Sequence, residues 1–163
     1  MVLLLFLGDF AAMSISTDNV QYSIKPDSFN VSWLFQVALP LGVLSIIEGV
    51  ALTFAGFSYF GLRGDINRLY TFAFVYLALS GLSTLLSVRE RNRFWKSKPS
   101  NPMIIMTALE VLTIFAISSL GFWELAPLGY IPLLAITAYV LTVTFIVNDW
   151  VKVYLIGNIV NPQ

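Results

Sequence analysis

Four carboxylates stand within or at the ends of apolar stretches: Asp9, Glu48, Glu110 and Asp149. An ionised carboxylate is costly in hydrocarbon, so such residues face a bundle interior or a wet cavity. A carboxyl moved out of water holds its proton more tightly, which brings proton uptake and release near neutrality within reach. That property suits a proton or cation carrier. The chain has no histidine and no cysteine, so carboxylates are the candidates for this work. The same absence excludes disulfides, Cys/His zinc sites, iron–sulfur clusters, His-ligated haem, and Cys or Ser–His nucleophilic catalysis within the chain. It assigns no resident metal.

Each acid has its own setting. Asp9 is flanked by apolar residues and preceded by Gly8. A glycine beside an acid marks either an unwound helix at a binding site or a helix end open to water. Glu48 lies near the middle of its segment, beside a stripe of small residues (Ala38, Gly42, Ser45, Gly49, Gly56) that admits a close helix neighbour. It stands roughly 100° round from Gly49, so a hydrogen bond to that neighbour in protonated form is open to it. Glu110, one to two turns into a later segment, reads as a snorkelling side chain or a polar interhelical contact. Asp149 and Lys152, three apart at a helix end, read as a local ion pair.

The elements that must position these groups are membrane helices. Hydrophobic residues make up 58% and charged residues 11%, against roughly 45–50% and 25% in a soluble domain. Mean hydropathy is +0.82. The expected fold is all-α: a polytopic membrane helix bundle of four full transmembrane helices plus an N-terminal half-helix. Apolar segments run from about Trp33 to Leu62, Leu69 to Val88, Met103 to Phe122 and Leu125 to Trp150. Each is long enough to cross a bilayer at about 1.5 Å per residue. Short connections make neighbours antiparallel. Residues 1–13 are too short to span and are interrupted by Asp9; they also lack the basic start of a signal peptide. They read as interfacial, or as the end of a truncated membrane helix. Residues 14–32 follow as a loop, 33–155 as the four-helix bundle, and 156–163 as a short tail. Pro40 is expected to kink its helix or to mark its first turns.

Nine basic residues balance nine acidic ones, so the lipid bilayer, and no nucleic acid, is the expected partner. Five of the nine basic residues are Arg89, Arg91, Arg93, Lys96 and Lys98. By the positive-inside rule the 89–101 loop is cytoplasmic, and loop 14–32 and the C-terminus fall on the same side. The basic loop is a topology signal or, more sharply, a site for anionic lipid or a partner domain. Phe94 and Trp95 look like interfacial anchors. The Asn30-Val31-Ser32 sequon is discounted because its loop is placed inside.

Read in order, three stretches resemble the plasma-membrane-type proton-exporting P-type ATPases, in their archaeal and bacterial branch. FLGDFAAMSISTDNVQYSIKPDSFNV (6–31) is similar to the end of their sixth membrane helix and the loop after it. The matching features are Asp9 in the helix, Ser14-Ile15-Ser16-Thr17-Asp18-Asn19-Val20, and Lys25-Pro26-Asp27. VRERNRFWKSKPS (88–100) is similar to the loop between helices eight and nine, and NDWVK (148–152) to the end of the last helix. The resemblance covers the whole chain, from the end of helix six to helix ten. It implies that Asp9 is the proton-binding membrane carboxylate and that Asp18 lies in a loop coupled to the phosphorylation domain. It implies ATP and magnesium for the complete pump, none in this chain. The implied partners are helices one to six and the phosphorylation domain, and the implied location is the plasma membrane.

Departures bound that expectation. The phosphorylated Asp-Lys-Thr-Gly-Thr, the Thr-Gly-Asp hinge and Gly-Asp-Gly-x-Asn-Asp are absent, as are P-loop and dinucleotide motifs. Where the family has Asn-Asp-Gly, this chain has Gly8-Asp9-Phe10. The expected function is a C-terminal membrane fragment of such a pump, inactive alone. The alternative is a stand-alone small membrane protein acting as a subunit or interaction partner. A third idea is a small carrier built on Glu48 and Glu110.

Overall fold

The computed structural model describes residues 2–19, 31–122 and 125–160, and it is helical throughout those spans apart from connecting turns. Among the described residues six α-helices follow one another: α1 (Val2–Ser14), α2 (Val31–Tyr59), α3 (Ile66–Val88), α4 (Asn101–Leu120), α5 (Tyr130–Thr142) and α6 (Asp149–Val160). A π-helical segment, Val143–Asn148, joins α5 to α6 in one continuous rod. Among the described residues four rods are long and apolar enough to cross a membrane: α2, α3, α4 and the α5–π–α6 rod. The expected all-α bundle is therefore present, and the chain is a multi-pass membrane protein.

Local chemistry sets most boundaries. Asp65 caps α3, its carboxylate accepting the Arg68 N–H at 3.1 Å. Ser100 caps α4, accepting the Met103 N–H at 3.4 Å, with Pro102 in the first turn where a missing N–H costs nothing. The α2–α3 turn needs Gly61, whose φ is +62°, a left-handed value that glycine takes without strain. Helix α2 continues through Pro40.

Several boundaries differ from the sequence reading, among them the end of α2 at Tyr59 and not Leu62 and the start of α3 at Ile66 and not Leu69. The last rod starts at Tyr130 and not at Leu125. Pro127 steers Ala126 away from the helical region, Phe122 and Leu125 exchange backbone hydrogen bonds at 3.1 and 3.0 Å, and Leu128 N–H donates to the Ser118 carbonyl. Helix α6 runs to Val160, well into the expected tail, and α2 begins at Val31, two residues inside the expected loop. The Lys25-Pro26-Asp27 stretch, Asn30, Trp123 and Glu124 lie outside the described residues.

Helix α3 is the hub. In its most apolar stretch 56% of residues are buried, against 11–22% in the other rods, so α3 is surrounded while they face outward. Phe72, Val75, Leu79 and Leu82 of α3 pack with Ile114 of α4 and with Leu133, Ile136 and Val140 of α5. Burying such side chains is worth about 1.5–3 kcal/mol each in water. In lipid the gain is smaller, and close packing and polar contacts hold the rods together. Part of the small-residue stripe on α2 does this. A Cβ on Gly49 would meet the Tyr76 ring at 2.7 Å, and one on Gly56 would meet Phe72 and Leu62 at 3.1 Å, whereas Gly42 faces open space.

Candidate functional site

Asp9 sits on α1, which is unbroken through Gly8 and Asp9, so the helix is not unwound there. Five residues separate Asp9 from the helix end at Ser14, about 8 Å at 1.5 Å per residue. Helix α1 packs against α3 and α4. Asp9, Phe6 and Phe10 are nevertheless exposed, so this face points away from the bundle. Among the described residues, no group bonds the Asp9 carboxyl.

Beyond Ser14 a 3-10 turn, Ile15–Thr17, is tied back by hydroxyls: Ser16 to the Met13 carbonyl and Thr17 to the Ser14 carbonyl, both at 2.8 Å. This delivers Asp18 into the 89–101 loop. Arg89 Nη1 donates to Asp18 Oδ2 at 2.9 Å, with both side chains only 2% exposed. Asp18 Oδ1 accepts the Ser100 N–H at 2.9 Å. Arg89 Nη2 also donates to the Ser97 carbonyl and, at 3.5 Å, to that of Phe94. Burial pushes the Asp18 carboxyl up, but the Arg89 hydrogen bond, the Ser100 and Asn19 N–H groups and the Arg89 charge outweigh it, holding the carboxyl below 3.8. Neighbouring Glu90 behaves alike. Burial raises it, yet bonds from Ser97 and Asn92 and the Lys96 charge leave it below its usual value.

The basic loop therefore has a role beyond topology. Arg89 latches the turn after α1 to the turn before α4. Arg93 lies over the Trp95 and Trp150 rings, 5.5 Å from each centroid, and 3.9 Å from Asp149. Lys96 and Lys98 remain exposed.

Asp149 and Lys152 do pair, at 2.6 Å, but as a buried hub and not a surface contact. Asp149 Oδ1 also accepts from Ser87 Oγ at 3.1 Å and from the Phe94 N–H at 3.2 Å. Lys152 Nζ donates to the Ser87 carbonyl at 2.7 Å. The end of α3, the basic loop and α6 are thereby joined through charged hydrogen bonds.

Glu48 is 9% exposed and points from α2 towards the π-helical segment. Asn148 Nδ2 donates to Glu48 Oε2 at 3.1 Å. Tyr139 Oη donates to the Glu48 backbone carbonyl at 3.1 Å, and Tyr76 Oη to that of Ser45 at 2.8 Å. Glu110 is buried on the inner side of α4, which excludes snorkelling. The structure thus brings Asp18 to the basic loop and Glu48 to α5–α6, while Asp9 lies apart on the exposed face of α1. Sequence reasoning gave no role to Asn148, Ser87 or Thr144. The one signal was Thr144, Asn148 and Lys152 repeating every four residues.

No protein-family model matches the chain. The chain is similar to a Methanocaldococcus jannaschii protein named "Putative cation-transporting ATPase MJ1226", at 29% identity over 157 residues. That alignment takes in 95% of this chain and 19% of the archaeal protein, so the chain spans about a fifth of that relative's length. Among the described residues no three acids stand close enough to hold a metal ion.

Proposed function

We propose that this chain is the C-terminal membrane part of a P-type cation pump that exports protons across the plasma membrane. The observation that carries the reading is the similarity to the archaeal cation-transporting ATPase along 95% of the chain. In this reading Asp9 takes up and releases the transported proton, and α2 to α6 form the support against which α1 is held. Loop 14–32, loop 89–101 and the C-terminus face the cytoplasm, as the cluster of basic residues favours. ATP-driven phosphorylation in other domains alternates the access of Asp9 between the two sides. The outward-facing, uncovered Asp9 supports this role, because helices one to five of the pump would supply its polar partners.

The Asp18–Arg89 latch gives the scaffold a purpose. It fixes the end of α1, about 8 Å from Asp9 along the helix, to the loop between α3 and α4. Movement imposed on one loop reaches the other without slack.

The test is made on the polypeptide carrying this sequence, reconstituted in sealed vesicles. Asp9→Asn should abolish ATP-driven acidification while leaving the protein folded, since the side chain is exposed. Normal acidification by the variant would overturn the assignment. A blot with an antibody to the 89–101 loop adds a size check. A pump subunit should run several-fold heavier than 18.2 kDa, and a band at that mass would overturn the fragment reading.

A further inference from the structure

We propose that the Glu48–Asn148 pair is a proton-binding site, with the proton on Glu48 Oε1 and shared with the Asn148 side-chain carbonyl.

The hydrogen-bond count leads there. Asn148 Nδ2 donates to Glu48 Oε2 at 3.1 Å. On the other arm, Glu48 Oε1 and Asn148 Oδ1 are both buried and neither has a partner. An ionised carboxylate and an amide carbonyl can only accept, so the pair is one hydrogen short. Turning the amide over exchanges the two arms and leaves the same deficit. One proton on Oε1 supplies a donor to Asn148 Oδ1 and satisfies both atoms. The pair then closes as an acid–amide ring with two antiparallel hydrogen bonds.

Among the described residues, three nearby donors are engaged elsewhere. From α5, the Tyr139 hydroxyl is spent on the Glu48 backbone carbonyl, and from α3 the Tyr76 hydroxyl is spent on that of Ser45. From α6, Lys152 lies one turn past Asn148, but its ammonium bonds Asp149 and the Ser87 carbonyl. An ionised Glu48 would be a charge 9% exposed inside a membrane bundle, with one amide N–H as its hydrogen-bond partner. Such a charge is far costlier than the neutral acid.

A gap of about 20 Å³, lined in part by Ser45, Thr84, Ser87, Thr144, Asn148 and Lys152, borders the amide and the Ser87–Lys152 contact. That is room for one water molecule, and the lining offers it several polar partners. Asn148 also closes the π-helical segment, and such wide turns inside α-helices gather at functional sites. The site rests on the packing of α2, α3 and the last rod, and stands whether or not Asp9 carries a proton.

The test is infrared difference spectroscopy on the lipid-reconstituted polypeptide at neutral pH, wild type against Glu48→Gln. Loss of one protonated-carboxyl carbonyl band in the variant is expected. Gln can donate to Asn148 Oδ1 as the acid does, so an unchanged thermal midpoint is expected too. Asn148→Leu keeps the acid but removes its ring partner, and the band should move to higher frequency. If Glu48→Gln fails to insert, Asn148→Leu decides alone, and an unmoved band overturns the proposal. Equal band intensity in wild type and Glu48→Gln would also overturn it. So would a thermal midpoint raised by sodium or potassium ions in wild type but not in Glu48→Gln, because a cation would then occupy the place of the proton.

Discussion

Replacing Asp18 by Asn should cost far more than a surface ion pair would. Exposed pairs are worth at most about 1 kcal/mol. Here both side chains are 2% exposed, and the guanidinium is drawn fully into the loop. Removing one partner of a buried pair costs about 3–5 kcal/mol, because the other charge is left uncompensated. Asn can still offer an oxygen to the Ser100 N–H, and Arg89 keeps the Phe94 and Ser97 carbonyls. The lower end, about 3 kcal/mol, is therefore expected, a factor of roughly a hundred in the unfolding equilibrium. Arg89→Met should cost a similar amount. The double variant should cost less than the sum by at least about 1 kcal/mol, since no charge is then stranded. The pH dependence has a definite sign. The folded carboxyl lies below 3.8, so its contribution is complete above the unfolded value of about 3.9 and fades as pH falls through the folded one. Wild type should lose stability below pH ~4 along an acid limb that Asp18→Asn lacks. Unfolding in mixed micelles, followed by tryptophan fluorescence, measures all of this. A single variant within about 0.5 kcal/mol of wild type, or strict additivity in the double, would refute the latch.

Two further outcomes follow from the packing and the topology. Gly49→Ala should destabilise by about 1–3 kcal/mol, because the new methyl meets the Tyr76 ring at 2.7 Å; Tyr76→Ala in the same protein should restore tolerance of the methyl, and a harmless Gly49→Ala alone would refute the contact. The chain has no cysteine, so single cysteines at Lys98 and Gly64 are unique labels, and with α3 between them they should react from opposite faces of sealed vesicles, Lys98→Cys from the cytoplasmic face.

The spans were legible because lipid leaves the chain little choice. About 20 apolar residues must run together wherever a helix crosses. The caps at Asp65 and Ser100 are local chemistry as well. The polar contacts were not legible, because their partners are distant in sequence. Asp18 meets Arg89 and Ser100, Glu48 meets Asn148, and Asp149 meets Ser87. The Asp149–Lys152 pair could be foreseen from its spacing of three, but its burial could not. That burial depends on the end of α3 and the basic loop closing over it. Asp9 was visible as an acid in an apolar run. Whether it faces the bundle or leaves it depends on how α1 lies on α3 and α4, which no local pattern encodes.

The π-helical segment explains why so many polar groups converge on one face of the last rod. Ile136, Val140, Thr144, Asn148 and Lys152 recur every four residues, and all five are buried. In a regular α-helix each step of four overshoots a full turn by about 40°, so four steps carry the last residue about 160° from the first. Lys152 would then point away from Ile136 and into lipid, and Asp149 with it. The wider turn at Val143–Asn148 takes more than four residues to come round. It absorbs much of that drift, keeping the lower rod's polar groups aimed at α2 and α3. The apolar core near Ile136 and the charged hub at Lys152 thus share one face only because the helix is wound unevenly between them. Asn148 meets Glu48 where the correction is complete. A change that restored regular α-winding there would part Glu48 from Asn148 and turn the Asp149–Lys152 hub away from Ser87 together.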